Sequence, residues 1–158
     1  MTKNYSFLEN QNFTEDFTHA LDSDNVHDDL HGVINLWGDN SSALTINIDH
    51  IAKNTSSFVN IHAVLRDSAK LKILGDIHIS PNASETDTNF TVKVLILGDK
   101  ARATVLPKLR IECKNIKQAK HAVVIKKISD QDLYFLQSRG VDITDAKNLI
   151  VNGFLENV

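Results

Sequence analysis

From Val33 onward, apolar and polar residues alternate with a period of two, the pattern of strands with one buried face. Ile34 and Leu36 run into a turn at Gly38-Asp39-Asn40. Leu44-Thr45-Ile46-Asn47-Ile48-Asp49 alternates strictly. Val59 to Leu65 follows and is ended by Arg66-Asp67-Ser68. Leu71 to Ile79 reads as a pair of short strands hinged at Gly75. Val92 to Leu97 stops at Gly98-Asp99. Ala101 to Leu106 and Leu109 to Cys113 flank Pro107, and Ala122 to Ile128 comes last. Short strands recurring roughly every twelve to sixteen residues fit an all-β fold, either a sandwich or a solenoid.

Repeated corner chemistry is consistent with a solenoid and leaves a sandwich open. Leu65-Arg66-Asp67-Ser68-Ala69-Lys70 and Leu97-Gly98-Asp99-Lys100-Ala101-Arg102 share the order leucine, turn aspartate, alanine and base, with Gly98 counted as an added residue. Stacked rungs reuse the same turn at the same corner. Within one rung, Lys108, Arg110, Glu112 and Lys114 fall on the outer face. Leu109, Ile111 and Cys113 fall on the inner one.

After Ile128 the period changes from strand to helix. Ser129 is a candidate N-cap, with Asp130 and Asp132 in the first turn. Gly140 suits a left-handed C-terminal cap, and Asp142 or Thr144 can cap a second helix. Leu133, Tyr134, Phe135 and Leu136 give the first helix an apolar face. Ala146, Leu149, Ile150 and Phe154 give the second a stripe, expected to be half core and half exposed. Residues 1–32 are acidic and weakly patterned. Phe7, Phe13 and Phe17 suggest a short amphipathic helix or a loose arm. The expected division is therefore an arm over 1–32, a β core over 33–128 and a helical subdomain over 129–158.

At 158 residues the chain suffices for one core without staples. No apolar run is long enough to span a bilayer, and the start lacks the apolar stretch of a signal peptide, so a cytoplasmic protein is expected. The single cysteine, Cys113, excludes an internal disulfide. Packing as a small hydrophobe is its default reading, with cluster ligation as the alternative. Charge is lopsided. Residues 1–50 hold Lys3 against nine acids, whereas Lys93 to Lys127 holds ten bases against Asp99 and Glu112. A basic face of this kind can bind polyanions. No helix-turn-helix, zinc finger or aromatic-interleaved basic strand accompanies it, so nucleic acid is not the expected partner.

Chemistry must come from few residues. His27 and His31, four apart around Asp28, would bind zinc only on a helix and with a third ligand. His62 and His78 alternate with apolar neighbours and read as surface positions. No glycine-rich loop precedes a Lys-Ser/Thr pair, so the chain is not itself an ATPase.

The C-terminal third carries the most specific pattern. Pro107-x-Leu109-x-Ile111, His121, Tyr134-Phe135-Leu136, Ser138-Arg139-Gly140, Ala146 and Asn152-Gly153-Phe154 occur in an order that resembles the SufB/SufD family. Those proteins are scaffold subunits of the SUF iron–sulfur cluster assembly machine. The resemblance runs from about Phe58 to Val158, and His121 to Gly140 is its most specific part. It implies a right-handed parallel β-helix with a small C-terminal two-helix subdomain. It also implies no enzymatic activity, and a role as partner to a SufC-like ATPase and a SufB-like subunit in a homo- or heterodimer. His121 would be the cluster-related residue at the subunit interface and a metal ligand, since imidazole binds iron and relays protons near neutral pH. Tyr134, Phe135, Arg139, Gly140, Ile150 and Phe154 would contact the ATPase. No cofactor would be held stably by the chain alone; a transient iron–sulfur cluster would form only in the complex.

Two departures point to a SufD-like or reduced member. The catalytic cysteine of SufB-like subunits would fall at or near Val92. Ala122 stands where SufB-like chains have glutamate and SufD-like chains usually glycine. The N-terminal helical region and many upstream rungs of full-length members are also absent from this sequence. The competing expectation is a degenerate β-helix interaction module that binds polyanions through the Lys93–Lys127 face and has no cluster role.

Overall fold

The computed structural model describes residues 2–6, as backbone, and 10–155. Every strand pair is parallel. One sheet has the order β1(Thr2–Ser6), β3(His27–Leu36), β5(Ser56–Leu65), β7(Asp87–Ile96), β9(Gln118–Lys127). The other has β2(Thr14–Leu21), β4(Ser41–His50), β6(Lys70–Ile79), β8(Arg102–Ile111). Successive strands alternate between the sheets, so the chain winds as a parallel β-helix with two strands per rung. Paired residues of neighbouring rungs are 27 to 32 positions apart, as in Thr2 with Asp29 and Lys70 with Arg102. The expected β-helix with two C-terminal helices is therefore the observed fold.

Inward residues stack in columns. Leu30, Val59, Phe90 and His121 form one, and Gly32, Ile61, Val92 and Val123 the next. Across the coil, Leu44, Ile73 and Val105 stack, as do Ile48, Ile77 and Leu109. Period two supplies each inward residue, and parallel register puts like on like, so aliphatic columns merge into one core.

Corners need left-handed backbone, and Asn, Asp and Gly supply it cheaply. Asn25 and Asn54 have φ of 64° and 51°, and the Asn54 amide donates to Asn25 Oδ1 at 2.6 Å. At the opposite corner Asp67 Oδ2 accepts from the Gly38 amide at 2.8 Å. The repeated Leu-to-Ala motif sits at this corner. Leu65 pairs with Ile96 and Lys70 with Arg102, so the later rung holds one extra residue there. Gly98 is required because a Cβ would fall 2.2 Å from the Asp67 carbonyl oxygen.

Three expectations need correction. Thr14–Leu21 and His27–Leu36, within and beyond the expected arm, are strands β2 and β3, and the boundary at 32/33 falls inside β3. Acidic residues on both faces, Glu15 and Asp28 inward and Asp16 and Asp29 outward, hid an alternation in which Phe17, His19 and Leu21 face inward. Phe13 and Phe17 pack on the core, and Phe7 lies outside the described residues. Secondly, Gly75 and Pro107 do not break their strands; β6 and β8 run through both, and the two pair with each other. The reason is Phe90, which crosses from the opposite sheet so closely that a Cβ on Gly75 would lie 2.5 Å from its ring. Pro107 is tolerated because β8 is an edge strand. Thirdly, His27 and His31 lie on a strand, so the helical zinc spacing does not arise; His27 contacts Ser56 and Asp29.

Helices α1(Asp130–Gln137) and α2(Ile143–Leu155) follow β9; residues 156–158 of the expected subdomain lie outside the described residues. Ser129 caps α1 by accepting from the Gln131 and Asp132 amides. Gly140 takes φ of 86°, as its capping position demands. Asp142 caps α2, accepting from Thr144 at 2.7 Å and Asp145 at 3.2 Å. Helix α2 lies on the outer face of the first sheet, where Val151 packs with Val64 and Leu95.

Candidate functional site

The coil is uncovered at its β8/β9 end among the described residues. Both strands are the last of their sheets, so one edge of each lacks a strand partner. The inward positions of this last rung also lose their cover. Ile111 is 46% exposed and Ile125 43% exposed, although Ile79 and Val94 directly beneath them are buried. Unpaired strand edges beside exposed aliphatic side chains are a template for a second chain.

His121 belongs to this surface. It pairs with Phe90 in the inward column, so its imidazole projects over the open core rather than out from the sheet. It is exposed and makes no hydrogen bond with a described residue. Ala122 alternates to the outer face. Val92 is fully buried in the next column, one rung below Val123. Cys113 is also buried, packed with Ile79 and Ala83, with its thiol directed at the Asn115 carbonyl at 3.8 Å. The default reading of Cys113 as a packed hydrophobe fits that environment. Among the described residues no group of three or more His, Cys, Asp or Glu side chains could hold a metal ion.

A second surface lies on the helices. Tyr134 is 74% and Phe135 54% exposed, and the Arg139 guanidinium stacks 4.3 Å over the Phe135 ring. Gly140 is exposed beside them. Ile150 and Phe154 do not join this surface. They pack on the coil, and Phe154 stacks on His62 with ring centroids 5.0 Å apart. The amphipathic stripe of α2 is therefore divided: Ile150, Val151 and Phe154 turn to the sheet, while Leu149 stays exposed.

Residues 3–154 match a family profile described as SUF system FeS cluster assembly, SufBD core domain. The chain belongs to the SufB/SufD family. It is 30% identical over 141 residues to a Bacillus subtilis protein named iron-sulfur cluster assembly protein SufD, covering 89% of this chain and 32% of that protein. It is 30% identical over 107 residues to the same organism's iron-sulfur cluster assembly protein SufB, covering 68% and 23%. A Mycobacterium bovis SufBD family protein is 38% identical over 85 residues, 54% of this chain and 21% of that one. The chain thus spans a third or less of the length of these relatives. The match reaches back to residue 3, well before Phe58, and takes in the acidic strands whose pattern was obscured by charge.

Of the two other histidines of this SufB/SufD chain expected at the surface, His62 is covered and His78 keeps its outer-face position. His62 is 1% exposed beneath α2, although its strand position is on the outer face. His78 is held between Asp49 and Glu112, at 3.2 Å from each. Only tertiary contacts could reveal the covering of His62, because alternation assigns a face but not what covers it. No helix among the described residues is long and apolar enough to cross a membrane.

Proposed function

We propose that this chain is a non-enzymatic, SufD-like scaffold segment of SUF-type iron–sulfur cluster assembly. The observation that carries the reading is His121 over the open end of the coil, beside two unpaired strand edges and the exposed Ile111 and Ile125. A SufB-like subunit seated on that end would extend both sheets and enclose the imidazole. Iron would then be ligated by His121 together with side chains from the partner, as a transient cluster at the interface. A SufC-like ATPase would dock on Tyr134, Phe135, Arg139 and Gly140, where rigid aromatic area is free. The work takes place in the cytoplasm.

Co-purification with the cognate SufC-like ATPase and SufB-like subunit tests this. The purified chain alone should bind little iron and capture both proteins. Tyr134→Ala with Phe135→Ala should lose the ATPase and keep the SufB-like subunit. His121→Ala should keep both and lower cluster accumulation. Failure to capture the cognate ATPase would overturn the reading.

A polyanion-binding module is less well supported by the charge geometry. Lys108 and Arg110 point out from one sheet and both pair with Asp76. Lys120 and Lys126 lie on the other sheet, and Lys127 pairs with Asp99. The bases therefore divide between two faces instead of forming one stripe. Tight, steeply salt-dependent binding to heparin would favour that alternative.

A further inference from the structure

A cleft of about 640 Å³ lies between the C-terminal half of α2 and the outer face of β5, β7 and β9, on the side of the sheet opposite the core. Its volume is within the ordinary range for small-ligand sites. Leu95, Val124, Ile150 and Phe154 give it apolar walls, and Lys93 and Lys126 bring two ammonium groups. Neither lysine has an ion-pair partner among the described residues.

His62 makes the cleft more than a gap with lysines at its rim. Its Nδ1 lies 2.9 Å from the Phe154 carbonyl oxygen. A carbonyl only accepts, so Nδ1 carries the proton and donates. Nε2 of the neutral ring is then left with a lone pair. That atom is buried and has no hydrogen-bond partner. Burial holds the imidazole below its ordinary pKa against the opposing effect of the Phe154 hydrogen bond, and the Lys93 charge lowers it further. A buried acceptor left empty is costly, and such orphans are uncommon in folded proteins.

We propose that this cleft binds a small flat organic anion that also carries a hydrogen-bond donor. Lys93 and Lys126 take the anionic group, His62 Nε2 accepts from the donor, and Phe154 and Val124 cover the flat apolar body. The three polar groups have different tasks. The lysines select charge and tolerate either carboxylate or phosphate. His62 selects a hydroxyl or N–H, because a ligand without one leaves Nε2 unpaired. The anchoring contact of His62 is on α2, so an occupied cleft ties the helix to the sheet.

Two probes that differ in one hydroxyl test this: 4-hydroxybenzoate and benzoate, titrated into the full chain and followed by 15N NMR of the histidine side chains. The expected result is saturable binding of 4-hydroxybenzoate that shifts the His62 Nε2 resonance, with benzoate about tenfold weaker. Lys93→Ala with Lys126→Ala, two side chains outside the core, should weaken 4-hydroxybenzoate by about tenfold or more while leaving the backbone spectrum folded. Phenyl phosphate should compete, identifying the lysines as general anion receptors. The proposal is overturned if 4-hydroxybenzoate fails to bind at about 10 mM. It is equally overturned if binding ignores the lysine pair, or if benzoate binds as well as its hydroxylated analogue.

Discussion

His50 shows how one polar residue is made tolerable inside an aliphatic coil. Its ring is fully buried, with Nδ1 2.8 Å from Thr55 Oγ1 and Nε2 2.9 Å from Ser57 Oγ. Ser57 passes the chain on to Thr88 at 2.8 Å. Burial lowers the imidazole pKa from 6.5 to about 4, against the nearby charge of Asp49. The unfolded chain therefore takes up a proton near pH 6.5 that the folded chain refuses until about pH 4. Stability is complete above pH 6.5 and falls as the pH drops toward 4, by roughly 3 kcal/mol from this residue. Urea unfolding at pH 7 and pH 5 should show about 2 kcal/mol of that loss in the wild type and less in His50→Leu. Gly75 makes the complementary point for shape. Gly75→Ala forces a Cβ into the buried Phe90 ring and should cost about 1–3 kcal/mol. Gly153→Ala meets open space in a helix and should instead stabilise by up to about 1 kcal/mol. Chemical denaturation of both variants checks the contrast; equal effects would contradict the packing of Phe90.

Among the elements, α2 begins on a single side-chain cap, Asp142. The Thr144 and Asp145 amides hold the Asp142 carboxyl below the usual carboxylate range. Its contribution is thus present at neutral pH and is lost as the pH falls through the lowered value. Asp142→Ala should speed amide exchange at Thr144 and Asp145, leave β5 protection unchanged, and remove this acid sensitivity of α2. The caps of both helices were legible in the sequence because capping is local chemistry. The strands were less so. Two expected interruptions, at Gly75 and Pro107, are one stacked position serving a side chain from the far sheet. That relation crosses the coil and leaves no trace in a single window of sequence. Strand β2 was hidden for a different reason. Its inward positions are Glu15, Phe17, His19 and Leu21, with a single aliphatic residue among them, so the period is present but muted.

For the whole molecule, the uncovered β8/β9 end of the coil matters most. The aliphatic columns of the interior stop at Ile111 and Ile125 of the last rung, both of them exposed. Placing a charge there should block end-to-end association without unfolding the chain. Ile125→Glu should abolish capture of a SufB-like subunit in sedimentation experiments. Leu106→Glu, on the outward face of β8 and 56% exposed, should leave capture intact. Equal behaviour of the two variants would mean that the partner does not use the open end. His121 was legible as a candidate because its spacing to Ser138-Arg139-Gly140 resembles the family. Its position over the core could be read only from register with Phe90. Ile150 and Phe154 were assigned to a partner surface, yet the chain's own sheet takes them.

By itself the sequence determined the period-two strands, the asparagine, aspartate and glycine corners, the helix caps and the family. Each depends on residues close together or on an order along the chain. Tertiary structure decided which outer faces are covered, which inner faces are left open, and how His62, Phe90 and His121 are used. Those outcomes depend on what arrives from another rung or from α2, and side-chain periodicity specifies a direction without specifying the neighbour that waits there.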